Sequence, residues 1–259
     1  MTTTFPAGTF TPAPGRGRAG RMLLVHARTE AVLTLRNSEQ ILLTLLIPAA
    51  LLVGLTVLDI FDLPDPRVGS VVPRVFALAV MSSAFTGQAI ALGFDRRYGV
   101  LKRLAATALP RWLLVSGRAV AGLVVVAVQI VVLGVIAAVM GWSPDLAGLA
   151  WVVLLVLIGT LSFGALGVLL GGALKAEVVL ALANIVWFVL LLGGGIVVPP
   201  DSMPGGLGDV VMLLPSGALT DGLHTALVDG AAPSWTVFAV LVGWGAVATT
   251  AATRTTKLA

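Results

Sequence analysis

The sequence has no cysteine, one tyrosine, two histidines and three lysines among its 259 residues. Without cysteine there is no disulfide scaffold, no Cys-ligated zinc or iron–sulfur centre and no thiol nucleophile. Charged residues make up only 11% of the chain, against roughly 25% in soluble domains. That scarcity excludes an ordinary soluble globular protein. Disorder is excluded too, because it needs low hydrophobicity and here 58% of residues are apolar before 30 glycines are counted. What the sequence has in abundance is long uncharged apolar runs, the mark of an integral membrane protein.

The few charges mark the ends of those runs. Uncharged stretches of 19, 20, 26, 29, 23 and 24 residues lie between Glu39 and Asp59, Arg74 and Asp95, Arg118 and Asp145, Asp145 and Lys175, Glu177 and Asp201, and Asp229 and Arg254. Each matches the ~20 residues a transmembrane helix needs. Runs such as GLVVVAVQIVVLGVIAAVM do not alternate as barrel strands do. The expectation is an all-α membrane protein with six spans near 40–58, 73–94, 113–140, 146–173, 177–198 and 232–253. They form one six-span transmembrane domain over 38–259, behind a flexible tail at 1–20 and an amphipathic helix at 21–37. With the N-terminus inside, 14 of the 16 basic residues fall on the cytoplasmic side, so both termini are expected in the cytoplasm of a multi-pass plasma-membrane protein. Residues 1–20 lack an apolar core, so no cleavable signal peptide is expected.

In the 21–37 helix, Leu23, Leu24, Ala27, Ala31 and Leu35 form a stripe with Arg21, Arg28 and Arg36 roughly opposite. Such a helix lies in the inner membrane interface. Taken alone it reads as a juxtamembrane helix rather than a docking surface. Pro48 kinks the first span, and Gly164, Gly167, Gly171 and Gly172 crowd the end of the fourth, where small residues admit a neighbouring helix. No internal repeat is visible, so an inverted-repeat carrier has no support.

Chemistry is as scarce as charge. His26 and His224 fall on opposite sides and cannot share a metal. A Ser216–His224–Asp221 site is conceivable, but a loop histidine is the simpler reading. The external acids Asp201, Asp209, Asp221 and Asp229 lack metal-ligand spacing. No acid or base lies inside the six runs, which argues against proton coupling or acid–base catalysis in the bilayer. Lys102, Lys175 and Lys257 follow Leu101, Leu174 and Thr256, so none belongs to a Walker A loop. Any ATP energy must come from another chain.

Two connections exceed simple loops. One, on the cytoplasmic side, is DRRYGVLKRLAATALPRW, residues 95–112. The other, external, runs over 197–230 and holds two short apolar segments broken by Pro215. The first resembles the loop of type-2 ABC exporter permeases, acidic–Arg–x–x–Gly–Thr–Leu–x–x–Leu–x–x–Thr–Pro. Asp95, Arg96, Gly99, Leu101, Leu104 and Thr107 fall into that pattern, with Val100 in place of threonine and Pro110 three positions after Thr107. The external segment is similar to the family's Gly–Gly, Pro, x–x–Pro, Leu–Pro pattern through Gly194, Gly195, Pro199, Met203, Pro204, Leu214, Pro215 and Gly222. Within the family the likeness is to the drug- and antibiotic-export branch.

The resemblance implies a coupling helix that docks on an ATPase, carried here by Asp95, Arg96, Arg97, Tyr98, Gly99, Val100, Leu101, Lys102, Arg103 and Leu104. It implies two ATPase subunits that bind ATP and Mg, a second permease copy or paralogue, surrounding membrane lipids, and no cofactor, metal or catalytic residue in this chain. No nucleic-acid partner is expected. Cargo would be amphipathic: a drug, antibiotic or lipid-like molecule. By position in spans two and five, Ser82, Ser83, Phe85, Thr86, Gln88, Asn184, Trp187 and Phe188 are candidates for the cargo cavity. Helix–helix hydrogen bonding or packing would explain each of them equally well, as it would Gln129 in span three. A lipid-modifying membrane enzyme and a non-transporting assembly partner are the alternative readings. The first would need bases or clustered acids at one face, and the external face has almost no bases.

Overall fold

The computed structural model describes residues 6, 9, 17–58, 65–107, 110–198, 200 and 203–255, with the side chains of 38–43, 105 and 111 outside that description. Most of the expected tail, together with Pro199 and Asp201 of the external segment, lies outside the described residues. Among the described residues every regular element is helical. In chain order these are α1 (Ala19–Arg36), α2 (Ser38–Val57), α3 (Arg67–Val80), a π-helical segment (Met81–Gly87), α4 (Gln88–Arg97), α5 (Val100–Ala105), α6 (Arg111–Val139), α7 (Leu149–Ala173), α8 (Ala176–Gly193), α9 (Leu207–Met212), α10 (Pro215–Leu227) and α11 (Trp235–Thr255).

Five helices are long and apolar enough to cross a membrane: Arg67–Arg97, Trp112–Val139, Leu146–Ala173, Ala176–Gly193 and Trp235–Thr255. The remaining expected span coincides with α2, which is 20 residues long, with Pro48 inside it. Its fully described apolar stretch is the shorter Thr44–Val57.

The Arg67–Arg97 helix is the axis of the bundle. Over its most apolar 18 residues it is 78% buried, whereas the corresponding stretches of the other four are 22–39% buried. Its 31 residues rise about 46 Å at 1.5 Å each, more than the bilayer core requires. That length lets it start at Arg67 and continue past the membrane boundary into the 95–104 segment. Around it stand α2, α6, α7, α8 and α10, with α1 lying along α6 and α11 along α7. The core contains Leu52, Phe76, Leu78, Met81, Leu133, Leu155, Phe163, Leu219 and Leu241. Lipid supplies no hydrophobic drive between helices, so close packing and hydrogen bonds must hold them together.

Glycine provides the closeness. Side-chain atoms at Gly167 would collide with the carbonyl oxygens of Ala84 and Phe85, and at Gly171 with that of Ala89. The backbone of α7 therefore lies directly on the π-segment and α4. Gly164 has open space beside it and takes no part in that contact.

The 197–230 connection folds into α9 and α10, with Pro215 at the first turn of α10. Proline suits that position because its missing N–H would have had no helical partner there. Ten of the 13 residues of α10 are buried, between α3, α7 and α11. The indole N–H of Trp244 in α11 donates to the Leu213 carbonyl at 2.9 Å and ties the α9–α10 corner to the last span.

Candidate functional site: a braced corner at one end of the bundle

The 95–104 segment forms a corner. Helix α4 ends at Tyr98, and Gly99 takes a left-handed conformation at φ 70° and ψ 18° before α5 begins. Only glycine adopts that conformation freely, so the break between the two helices is written into the sequence at this position. The guanidinium of Arg103 donates to the Tyr98 carbonyl at 3.0 Å across the turn.

The ten residues expected to form one docking surface divide into two groups. Asp95 and Arg96 turn into the bundle. The Asp95 carboxylate pairs with the Arg118 guanidinium, whose side chain is 11% exposed, and so joins the end of α4 to α6. Arg96 donates to the carbonyls of Gly171 and Leu174, both at 3.0 Å. Those carbonyls belong to the last turn of α7 and its exit, where they have no helical donor of their own and carry the negative end of the helix dipole. Arg96 thus caps α7 from the neighbouring helix.

Arg97, Tyr98, Lys102 and Arg103 face outward, and Val100, Leu101 and Leu104 are half-buried. Arg97 pairs with Glu177 at the start of α8, an exposed bridge of small energetic value. The Tyr98 ring stacks on Phe94, one turn earlier, with centroids 5.9 Å apart. The Arg97 guanidinium stands 5.9 Å from its centroid. The corner is therefore held to α6, α7 and α8 from within and shows a basic and aromatic face outward.

The cavity candidates also separate. Ser82 and Trp187 meet directly: the indole N–H donates to the Ser82 hydroxyl at 2.8 Å, in a buried contact between the π-segment and α8. Ser83 donates to Gln129 at 2.6 Å, and Gln129 donates onward to Thr44 at 3.0 Å. The π-segment is thus the hub of a polar network reaching α2, α6 and α8. π-turns occur mostly as isolated bulges and often at functional sites. Phe85 is buried, Thr86 and Gln88 are half-buried, and the Thr86 hydroxyl has no hydrogen-bond partner. Asn184 and Phe188 lie on the exposed face of α8, where Asn184 bonds back to the Leu180 carbonyl at 2.8 Å.

The other polar candidates stay apart. Ser216 and His224 are eight positions apart on α10, about 12 Å along its axis, and the Ser216 hydroxyl is buried without a partner. Among the described residues no group of His, Asp or Glu is arranged to hold a metal ion. Sequence reasoning missed Arg118, which it took only as the edge of a span. Its position two turns into a helix, with Asp95 in the segment immediately before, is the signal that could have revealed the pair.

The long apolar helices and the braced corner at one end define a multi-pass membrane bundle. The chain belongs to the ABC-2 type transporter family, whose model matches residues 22–228. It is also 27% identical over 214 residues to the Bacillus subtilis (strain 168) protein named "Putative transport permease YvfS", in an alignment covering 81% of this chain and 86% of that one. Membership makes this a multi-pass membrane subunit of a transporter and implies association with ATPase subunits in general.

Proposed function

We propose that this chain is the permease of an ATP-driven exporter for amphipathic cargo of the drug, antibiotic or lipid-like class. Two permease chains, identical or paralogous, work with two ATPases. ATP and Mg bind in those ATPases and not here. The α1 end and the 95–105 corner lie in the cytoplasm, both termini with them, and α2 is the first of six spans. The observation that carries the reading is the corner: its outer face offers Tyr98 and Arg103 to a soluble partner, while its inner face is tied to α6 and α7 through Arg118 and Arg96. Closure of the ATPases would move the corner as one piece and shift the bundle between two states. Ser82 and Trp187 already join spans two and five, the helices assigned to the cargo path.

The direct test is purification of the tagged chain from its native membranes under mild detergent. A stoichiometric partner carrying a Walker A motif is expected. Tyr98→Glu, at the outer face of the corner, should reduce recovery of that partner at least tenfold without lowering the yield of the permease. Recovery of the permease alone under every mild condition would remove the energy source and defeat the reading. For topology, Lys102→Cys and Leu207→Cys give single thiols in a chain that has none of its own. An impermeant maleimide added to intact cells should label position 207 and spare position 102. Equal labelling of the two would overturn the assigned sides.

A further inference from the structure

A cleft of about 590 Å³ opens between the corner and the α7–α8 turn. That volume falls within the 300–1,000 Å³ range of small-molecule sites. Its lining carries four bases, Arg96, Arg97, Lys102 and Lys175, against the single acid Glu177. Arg96 is committed to the α7 carbonyls and Arg97 to Glu177. Lys102 and Lys175 are exposed and, among the described residues, have neither ion pair nor hydrogen bond. They come from two different connections, so only the fold brings them to one cleft. The same lining holds the apolar Leu101 and Leu174, and Arg97, Ala173 and Ala176 in it are terminal residues of three membrane-crossing helices.

We infer that this cleft binds the headgroup of one anionic phospholipid from the adjacent leaflet, with its phosphodiester between Lys102 and Lys175 and its glycerol end against Leu101 and Leu174. Lysine is a strongly hydrated point-charge ligand suited to phosphate. Basic residues near a membrane surface favour anionic lipid by about fivefold each, equivalent to roughly 1 kcal/mol. An acidic protein segment would satisfy the lysines equally well. A lipid uses both the bases and the apolar residues of a cleft that lies at the ends of membrane-crossing helices, whereas an acidic segment uses the bases alone. The assignment does not depend on the exporter reading, since it concerns the isolated chain and its membrane.

The test is native mass spectrometry of the full-length chain in detergent, titrated with phosphatidylglycerol and, separately, phosphatidylcholine. One phosphatidylglycerol per chain should bind at least tenfold more tightly than phosphatidylcholine. Lys102→Gln and Lys175→Gln should each weaken it about fivefold, and together bring the two lipids near parity. Glu177→Gln should tighten it, an inversion that simple loosening of the Arg97–Glu177 brace would not produce. Arg21→Gln and Arg28→Gln, exposed on α1 and outside the cleft lining, should leave the preference unchanged. The proposal is overturned if the lysine pair variant keeps its preference. It is equally overturned if millimolar inorganic phosphate displaces the lipid, which would mark a free-anion site. Unchanged lipid binding with loss of a co-purifying protein would assign the cleft to an acidic protein segment instead.

Discussion

Gly171→Val is expected to lower the thermal midpoint of the detergent-solubilised protein by on the order of 10 °C, while Gly164→Val leaves it almost unchanged. Both glycines lie on α7, seven positions apart and in similarly apolar sequence. A side chain at 171 meets the Ala89 carbonyl oxygen and comes within 3.0 Å of Leu92 Cβ. The obstacle at Ala89 is backbone, so the side chain cannot be accommodated by a rotamer change and α4 must move off α7. Overpacking of this kind costs roughly 1–3 kcal/mol. The displacement also draws Arg96 away from the carbonyls of Gly171 and Leu174, and a lost hydrogen bond to a charged group adds about 1.5–3 kcal/mol. At 2–4 °C per kcal/mol for a chain of this size, a loss of about 3 kcal/mol gives the stated shift. Gly164 has nothing within 4 Å, so a side chain there points into lipid or open space. Equal shifts for the two variants would mean that α7 does not pack on α4 as described.

The contrast between those glycines shows where the sequence was readable. A membrane helix must be long and nearly free of charge, so spacing between charges located the crossing helices. It did not anticipate the break at Gly99, where a positive φ needs glycine. The same rule set the start of the second span at residue 73, yet the helix begins at Arg67 and Arg74 lies two turns inside it. The helix is buried by its neighbours, and protein surroundings tolerate an arginine that lipid would not. The positive-inside pattern treats Arg96, Arg97, Lys102 and Arg103 alike, because it counts charges and is blind to direction. Which of them turns inward depends on partners 75 to 80 residues away in sequence. The π-segment was hidden as well: Met81–Gly87 is a run of mostly small residues with no spacing that distinguishes a π-turn from an α-turn. Hence Ser82, Ser83, Trp187 and Phe188 read as one set, although only the first three enter the polar network.

For the proposed exporter, Asp95→Asn is expected to abolish export while the ATPases continue to turn over, and its rescue by a second change separates stability from coupling. Arg118 is 9% exposed, so removing its counter-charge leaves a guanidinium in poorly hydrated surroundings. Breaking a fully buried pair costs about 3–5 kcal/mol. The Asp95 side chain is 28% exposed, and water there reduces the loss to about 2 kcal/mol. Replacing such a pair with apolar residues of similar size is often neutral or stabilising. Asp95→Leu combined with Arg118→Met should therefore restore the melting behaviour of the wild type. It should not restore export. The ion pair fixes a direction and a distance between the last turn of α4 and the second turn of α6, whereas Leu against Met is an adaptable contact that lets the helices slide. A corner that slides absorbs the motion of α5 before it reaches the spans. The expected signature is a double variant with a wild-type melting curve and ATP hydrolysis no longer stimulated by cargo. If the double variant exports at the wild-type rate, Asp95 and Arg118 serve stability alone, and force must enter the bundle through the capping of α7 by Arg96.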